Sequence, residues 1–253
     1  MLRLLALCCL CGCDILFQLQ TVPDRPAVDA SADAPSDATI AGLVAWFPMD
    51  DVASTFVSCM PDAIGHHDGT CVGNMPAKVP GAIDGAYKFD GMLNIRIADD
   101  ADLDTPAFTV AYWQNLVPSP AMKADGYECS VNRVYGTAAD DSWQVCAETQ
   151  GTFWKVGDAS SASIDMVQVG EWHHIAITFD GATFTIWLDG TSLGTGAATV
   201  ASEPTDPIVL GMDLDGDGVG TFMPSATFDG LLDDLRFYNR ALSPAEVAEL
   251  AHR

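Results

Sequence analysis

Asp213-Leu214-Asp215-Gly216-Asp217-Gly218 is a stretch whose residue types and spacing point to chemistry. Carboxylates at Asp213, Asp215 and Asp217 alternate with residues that permit a sharp turn. This is the opening of a calcium loop, in which hard oxygen ligands converge on one ion. The twelfth position of such a loop carries a bidentate Glu, and here it is Pro224. Affinity is therefore expected to be modest unless Asp229 or a backbone carbonyl closes the shell. The competing reading is an acidic hairpin tip that holds no metal.

Hydrolysis finds little support. Glycan cleavage uses two carboxylates that face the same glycosidic bond, and the acidic clusters of the chain offer no such pair on a strand. Asp99-Asp100-Ala101-Asp102-Leu103-Asp104 and Asp140-Asp141 sit in turn-like sequence and read as solvated loop charge. His173 and His174 alternate faces of a strand, so they cannot share a ligand. His66 and His67 lie between Cys59 and Cys71, a weak metal signal against the simpler reading of a polar turn. No catalytic residue is assigned, and the chain is expected to bind rather than to catalyse.

For a sugar ligand the useful probe is strand parity. In Phe108 to Leu116 one face carries Phe108, Val110 and Tyr112, and the other Thr109, Ala111, Trp113 and Asn115. Phe184, Ile186 and Leu188 likewise oppose Thr185 and Trp187. Trp113, Asn115 and Trp187 thus occupy mixed faces, where an indole can stack on the C–H face of a pyranose while an amide bonds its rim. The alternative is that these tryptophans fill the core.

The elements that must position these groups are strands. From residue 41 onward, short runs rich in Val, Ile, Phe, Thr and Trp recur between Gly, Asp, Asn and Pro clusters, which predicts an all-β sandwich or barrel. The clearest strands are 43–47, 86–89, 108–116, 143–148, 172–179, 183–188 and 232–238. Asp180-Gly181 and Asp189-Gly190 mark hairpin turns. Ser243, Pro244 and Glu246 form a capping box that predicts a helix through His252, packed as a plug on the sandwich edge. Cys59, Cys71, Cys129 and Cys146 are the cysteines outside the leader, and an even count points to disulfides in an oxidising compartment. The two local pairings, Cys59 with Cys71 and Cys129 with Cys146, are favoured because each closes a short loop.

Composition narrows the partners. The chain of 253 residues carries 35 Asp and Glu against 11 Lys and Arg, a formal charge of −24, which repels nucleic acid and anionic membrane surfaces. Hydrophobic residues make up 49%, enough to build a sizeable core. The first residues stand apart: Arg3, the apolar stretch Leu4 to Leu10, and then Leu10-Cys11-Gly12-Cys13, which resembles a bacterial lipobox. That resemblance implies a signal peptide over 1–12 and acylation of Cys13, so that contact with a membrane is made only through the lipid. Residues 13–40, rich in Pro, Ala, Ser and Asp towards their end, read as a disordered tether in front of a domain over 41–253.

Leu43-Val44-Ala45-Trp46-Phe47-Pro48-Met49-Asp50, Phe89-Asp90-Gly91, Glu171-Trp172-His173-His174-Ile175 and Asp233-Asp234-Leu235-Arg236-Phe237-Tyr238-Asn239-Arg240-Ala241-Leu242 follow in the order seen in laminin-G-like jellyroll domains. The chain resembles these members of the concanavalin A-like lectin/glucanase superfamily over nearly all of 41–253. The resemblance implies a two-sheet antiparallel jellyroll sandwich with a short C-terminal helix, binding carbohydrate or protein. It also implies a second address for Ca2+ at Asp50 and Asp233, on the first and last strands. The expected protein is an envelope-anchored extracytoplasmic module for a glycan or a surface protein. A structural or adhesive module without a small ligand and a divergent glycan-active enzyme are the alternatives.

Overall fold

A computed structural model describes residues 41–51, 55–117, 127–133, 143–148, 151–157, 159–160, 169–200, 207–213 and 227–253. Cys13, the tether, Asp140, Asp141, Asp215 and Asp217 lie outside the described residues.

The strands are β1 (Leu43–Phe47), β2 (Thr70–Val72), β3 (Ala77–Pro80), β4 (Gly85–Asp90), β5 (Asn94–Ile97), β6 (Phe108–Leu116), β7 (Tyr127–Arg133) and β8 (Trp143–Glu148). They continue with β9 (Gly151–Val156), β10 (Ala159–Ser160), β11 (Trp172–Phe179), β12 (Thr183–Leu188), β13 (Thr191–Ala197), β14 (Ile208–Leu210) and β15 (Asp229–Tyr238), and one helix, α1 (Pro244–Leu250), follows. Among the described residues they form two sheets. The first runs β13-β12-β11-β6-β15-β4-β3 with β1 also on β15, and the second runs β10-β9-β8-β7-β14-β5-β2. All the pairings within these sheets are antiparallel.

Alternation decides which face is inside. Val110 and Tyr112 of β6, Ile175 and Ile177 of β11, and Leu235 and Phe237 of β15 share one core with Ile95, Val131, Val145, Trp154 and Leu210 of the second sheet. Full burial of each large side chain contributes about 1.5–3 kcal/mol, so the shared face is what makes two sheets one sandwich. The sequence-predicted strands recur with these bounds or slightly longer ones. The Asp189-Gly190 hairpin takes positive φ at both residues, 49° and 74°, the two-residue geometry that joins twisted strands best.

The cysteines pair locally. Cys59 joins Cys71 across Cα atoms 5.8 Å apart, and Cys129 joins Cys146 between directly opposed residues of β7 and β8.

The C-terminal helix departs from expectation in length and place. Its capping box is present, with Ser243 and Glu246 exchanging backbone and side-chain hydrogen bonds, but the helix ends at Leu250 with Ala251 as its C-cap. It does not plug an edge. Val247 and Leu250 cluster with Ala111, Ala176, Trp187 and Tyr238, so the helix covers part of the outer face of the first sheet. The small Ala111 and Ala176 on adjacent strands make room for it.

Strand β15 changes partner midway, and this creates a distinctive feature of the sheet. Asp229 to Leu232 pair with β4, whereas Leu235 to Tyr238 pair with β1. Between them the register against β6 shifts, and Asp234 takes a φ of 48°. Asp233 and Asp234 thus stand at a fork between two strands.

Candidate functional site

Three groups of residues converge on positions where a ligand could be held. The first lies at the β15 fork. Asp233 is fully buried, and its Oδ2 accepts a hydrogen bond from the Ile83 N–H at 2.8 Å. Its Oδ1 is buried with no hydrogen-bond partner among the described residues. Asp50, just past β1, accepts from the Gly85 N–H at 2.7 Å. Burial, with help from Asp234 and Asp50, pushes the Asp233 carboxyl up to about 7, and burial also raises Asp50, which Asp84 raises further. The β3–β4 turn wraps this pair so closely that a Cβ on Gly81 would lie 2.5 Å from Asp233 Oδ2. Crowded carboxylates, an orphaned buried oxygen and nearby backbone carbonyls are the hard donor set that Ca2+ takes, so these residues fit that ion. Of the loop address at Asp213, Asp215 and Asp217, only Asp213 is described, and it is buried three residues past β14.

The second group is the acidic run after β5, which the sequence presents as solvated charge. The structure corrects that reading. Arg133, at the end of β7, has a side chain only 7% exposed and donates to Asp99, to Asp104 at 2.6 Å and to the Leu103 carbonyl at 3.0 Å. Asp100 and Asp102 face the other way, towards His67, whose Nε2 lies 3.1 Å from Asp102. Both disulfides remove their thiols from any metal site, yet the weak histidine signal between Cys59 and Cys71 has a counterpart in space. The sequence shows four carboxylates in six positions but not the buried Arg133 and His67 that meet them.

The third is a cavity of about 390 Å³ at one end of the sandwich. Phe108, Trp143, Phe179 and Phe237 line it beside Val44 and Ile208, and Asp102, Asp104, Thr105, Arg133 and Thr199 add polar groups. The Phe108 ring lies 5.5 Å from that of Phe179 and 6.2 Å from that of Trp143.

The sugar-stacking candidates separate. Trp187 is 7% exposed beneath α1, and its Nε1 donates to Thr178 Oγ1 at 3.1 Å, so it is a packing residue. Trp113 and Asn115 are half-buried on the same outer face, opposite His174 and Trp172 of β11. The Trp113 ring stands edge-on to His174 at 5.4 Å, and burial holds that imidazole down to about 3. As parity requires, His173 points elsewhere, to Asp189 at 2.8 Å. Gly190-Thr191-Ser192-Leu193-Gly194 has the spacing of a nucleophile elbow. Ser192 is exposed on β13 directly after a hairpin, opposite Trp187, rather than at a strand-to-helix turn.

Comparison with known proteins agrees with this architecture. A domain of the GH43 extracellular arabinanase AbnA from Geobacillus stearothermophilus, solved in complex with arabinotriose, matches at a TM-score of 0.61 with 22% identity, over 83% of this chain and 98% of that one. Trypanosoma rangeli sialidase in complex with sialic acid matches at 0.63 with 15% identity, over 83% of this chain and 32% of that one. These likenesses show the fold. In sequence, the sushi, von Willebrand factor type A, EGF and pentraxin domain-containing protein 1 of Rattus norvegicus is 25% identical over 65% of this chain, and human neuronal pentraxin-1 is 35% identical over 34% of it. The chain spans 5% and 21% of those two relatives. Residues 89–248 match a laminin G model described as concanavalin A-like lectin/glucanases superfamily, and the chain belongs to that superfamily.

Proposed function

We propose that this chain is a non-catalytic carbohydrate-binding module, presented outside the cytoplasm on a lipid anchor at Cys13, with a calcium ion at Asp50 and Asp233 steadying its fold. The observation that carries the reading is the end cavity. Its volume suits one or two sugar rings, its aromatic walls suit their C–H faces, and its Asp, Thr and Arg groups suit their hydroxyls. The arabinotriose and sialic acid complexes of the structural neighbours support carbohydrate as the ligand class. A surface protein is the second reading, favoured by the pentraxin relatives. The Trp113 and Asn115 patch is the second candidate face, because the buried Trp113 Nε1 has no hydrogen-bond partner among the described residues.

A glycan array probed with the full chain, in calcium and in chelator, tests the function. Saturable binding to a set of related glycans is expected in calcium. A silent array beside a cross-linked protein partner favours the second reading, and release of new reducing ends would make the protein an enzyme.

The anchor has its own test. The lipobox-like Leu10-Cys11-Gly12-Cys13 places acylation on the Cys13 thiol, so Cys13→Ser is expected to move the protein from membrane to soluble fractions. Unchanged membrane association of the Ser variant would contradict the anchor.

A further inference from the structure

We infer that His67, Asp100 and Asp102 form a site for a divalent transition-metal ion, zinc by its ligand chemistry, separate from the calcium address at Asp50 and Asp233. One ligand atom from each residue can be chosen so that all three lie within 4.8 Å of one another. Zinc holds nitrogen and oxygen ligands at about 2.0–2.2 Å, so modest rotation of the two exposed aspartates closes such a shell. An imidazole with two carboxylates leaves at least one coordination position for water, and the nitrogen donor selects against calcium and magnesium.

The scaffold behind these ligands is built rather than incidental. His67 has a side chain only 2% exposed. Its loop is closed by the Cys59–Cys71 disulfide. It is also wound around Asp62, whose carboxylate accepts hydrogen bonds from the backbone N–H groups of Trp46, Ile64, His66 and His67. The backbone amide of Asp62 in turn donates to Asp68 at 2.9 Å. On the opposite side, Arg133 takes Asp99, Asp104 and the Leu103 carbonyl and so fixes the course of the acidic loop. Asp100 and Asp102 are left facing an imidazole that is already held in place. Across from the two carboxylates stands one imidazole, 3.1 Å from Asp102, and a divalent ion would join all three. Asp100 also accepts a hydrogen bond from the Asp102 N–H at 3.4 Å, which sets its carboxylate beside that of Asp102.

The test is isothermal titration of zinc chloride into metal-stripped full chain with calcium kept saturating, so that the Asp50 and Asp233 address is occupied. The parent is expected to take up zinc at one site. Asp100→Asn and Asp102→Asn, both at exposed positions, should each weaken binding by about tenfold or more. His67→Gln should abolish it, and melting curves in calcium establish that each variant is folded. Substitution of zinc by cobalt gives a second readout, a visible absorption band that depends on the same three residues. Zinc affinity unchanged in the two Asp→Asn variants, or no zinc uptake by the parent, overturns the site and leaves a His67–Asp102 ion pair.

Discussion

Replacing Arg133 by methionine is expected to destabilise the protein by about 3–5 kcal/mol, the usual consequence of removing one partner from a buried ionic cluster. Asp99 and Asp104 have side chains 17% exposed, and both point at the guanidinium. Burial already holds the Asp99 carboxyl above the ordinary carboxylate range against the pull of Arg133, with Asp104 and Asp100 adding repulsion. Without the cation these carboxylates must take up protons or move apart, and the acidic loop that borders the cavity loses its anchor. For a domain of this size the melting temperature should fall by on the order of 10 °C. Changing Asp99 and Asp104 to Asn in the same chain should recover much of the loss, because no buried charge is then left uncompensated. A shift within about 1 kcal/mol for Arg133→Met alone, measured by denaturant unfolding, would show that the cluster is solvated after all.

The second large effect is a dependence on pH that calcium should reverse. Asp233 folds with its carboxyl raised to about 7, so the folded state holds a proton that the unfolded chain has released. Its contribution is therefore fully present below the ordinary carboxylate pKa of 3.8 and is lost as pH rises through about 7. Relative to Asp233→Asn, the calcium-free parent should lose on the order of a few kcal/mol across that window. Calcium replaces the proton, so saturating calcium should restore stability at neutral pH, and its affinity should rise with pH until about 7. His174 acts in the opposite sense. Its imidazole is held down to about 3, so its contribution is present above the ordinary value of 6.5 and is lost as pH falls through about 3. The two slopes oppose each other in mildly acidic solution, which is why the comparison with Asp233→Asn is needed. Identical pH profiles for parent and variant, with and without calcium, would exclude a cation at the fork.

Much of the fold was legible because jellyroll strands repeat one signal. Residues 108–116 and 172–179 alternate apolar and mixed positions, and their cross-strand register follows, residue by residue, from Trp172 opposite Asn115 to Phe179 opposite Phe108. β7 was hidden because Glu128, Ser130, Asn132 and Arg133 are polar yet buried, which breaks the alternation that marks a half-exposed strand. β13 was hidden because its Ser, Thr and Gly residues lie on an exposed edge and carry no apolar pattern. Trp187 shows the limit of parity. The face was right, but the helix lying on it is a tertiary fact that strand periodicity does not contain. The acidic loop shows the same limit from the other side, since nothing local to residues 99–104 announces that Arg133 will reach two of its carboxylates and His67 another.

Titration of an array-selected oligosaccharide into the calcium-loaded full chain, compared across the parent, Phe108→Ala and Trp113→Ala, tests the central claim most directly. Phe108 is half-buried in the cavity wall, so its truncation removes stacking surface without opening the middle of the core. The account predicts saturable binding by the parent, a loss of about tenfold or more in Phe108→Ala, in line with aromatic anchors in ligand pockets, and affinity within about twofold of the parent for Trp113→Ala. Binding that survives Phe108→Ala and disappears in Trp113→Ala would contradict the cavity and move the ligand to the outer face of the first sheet.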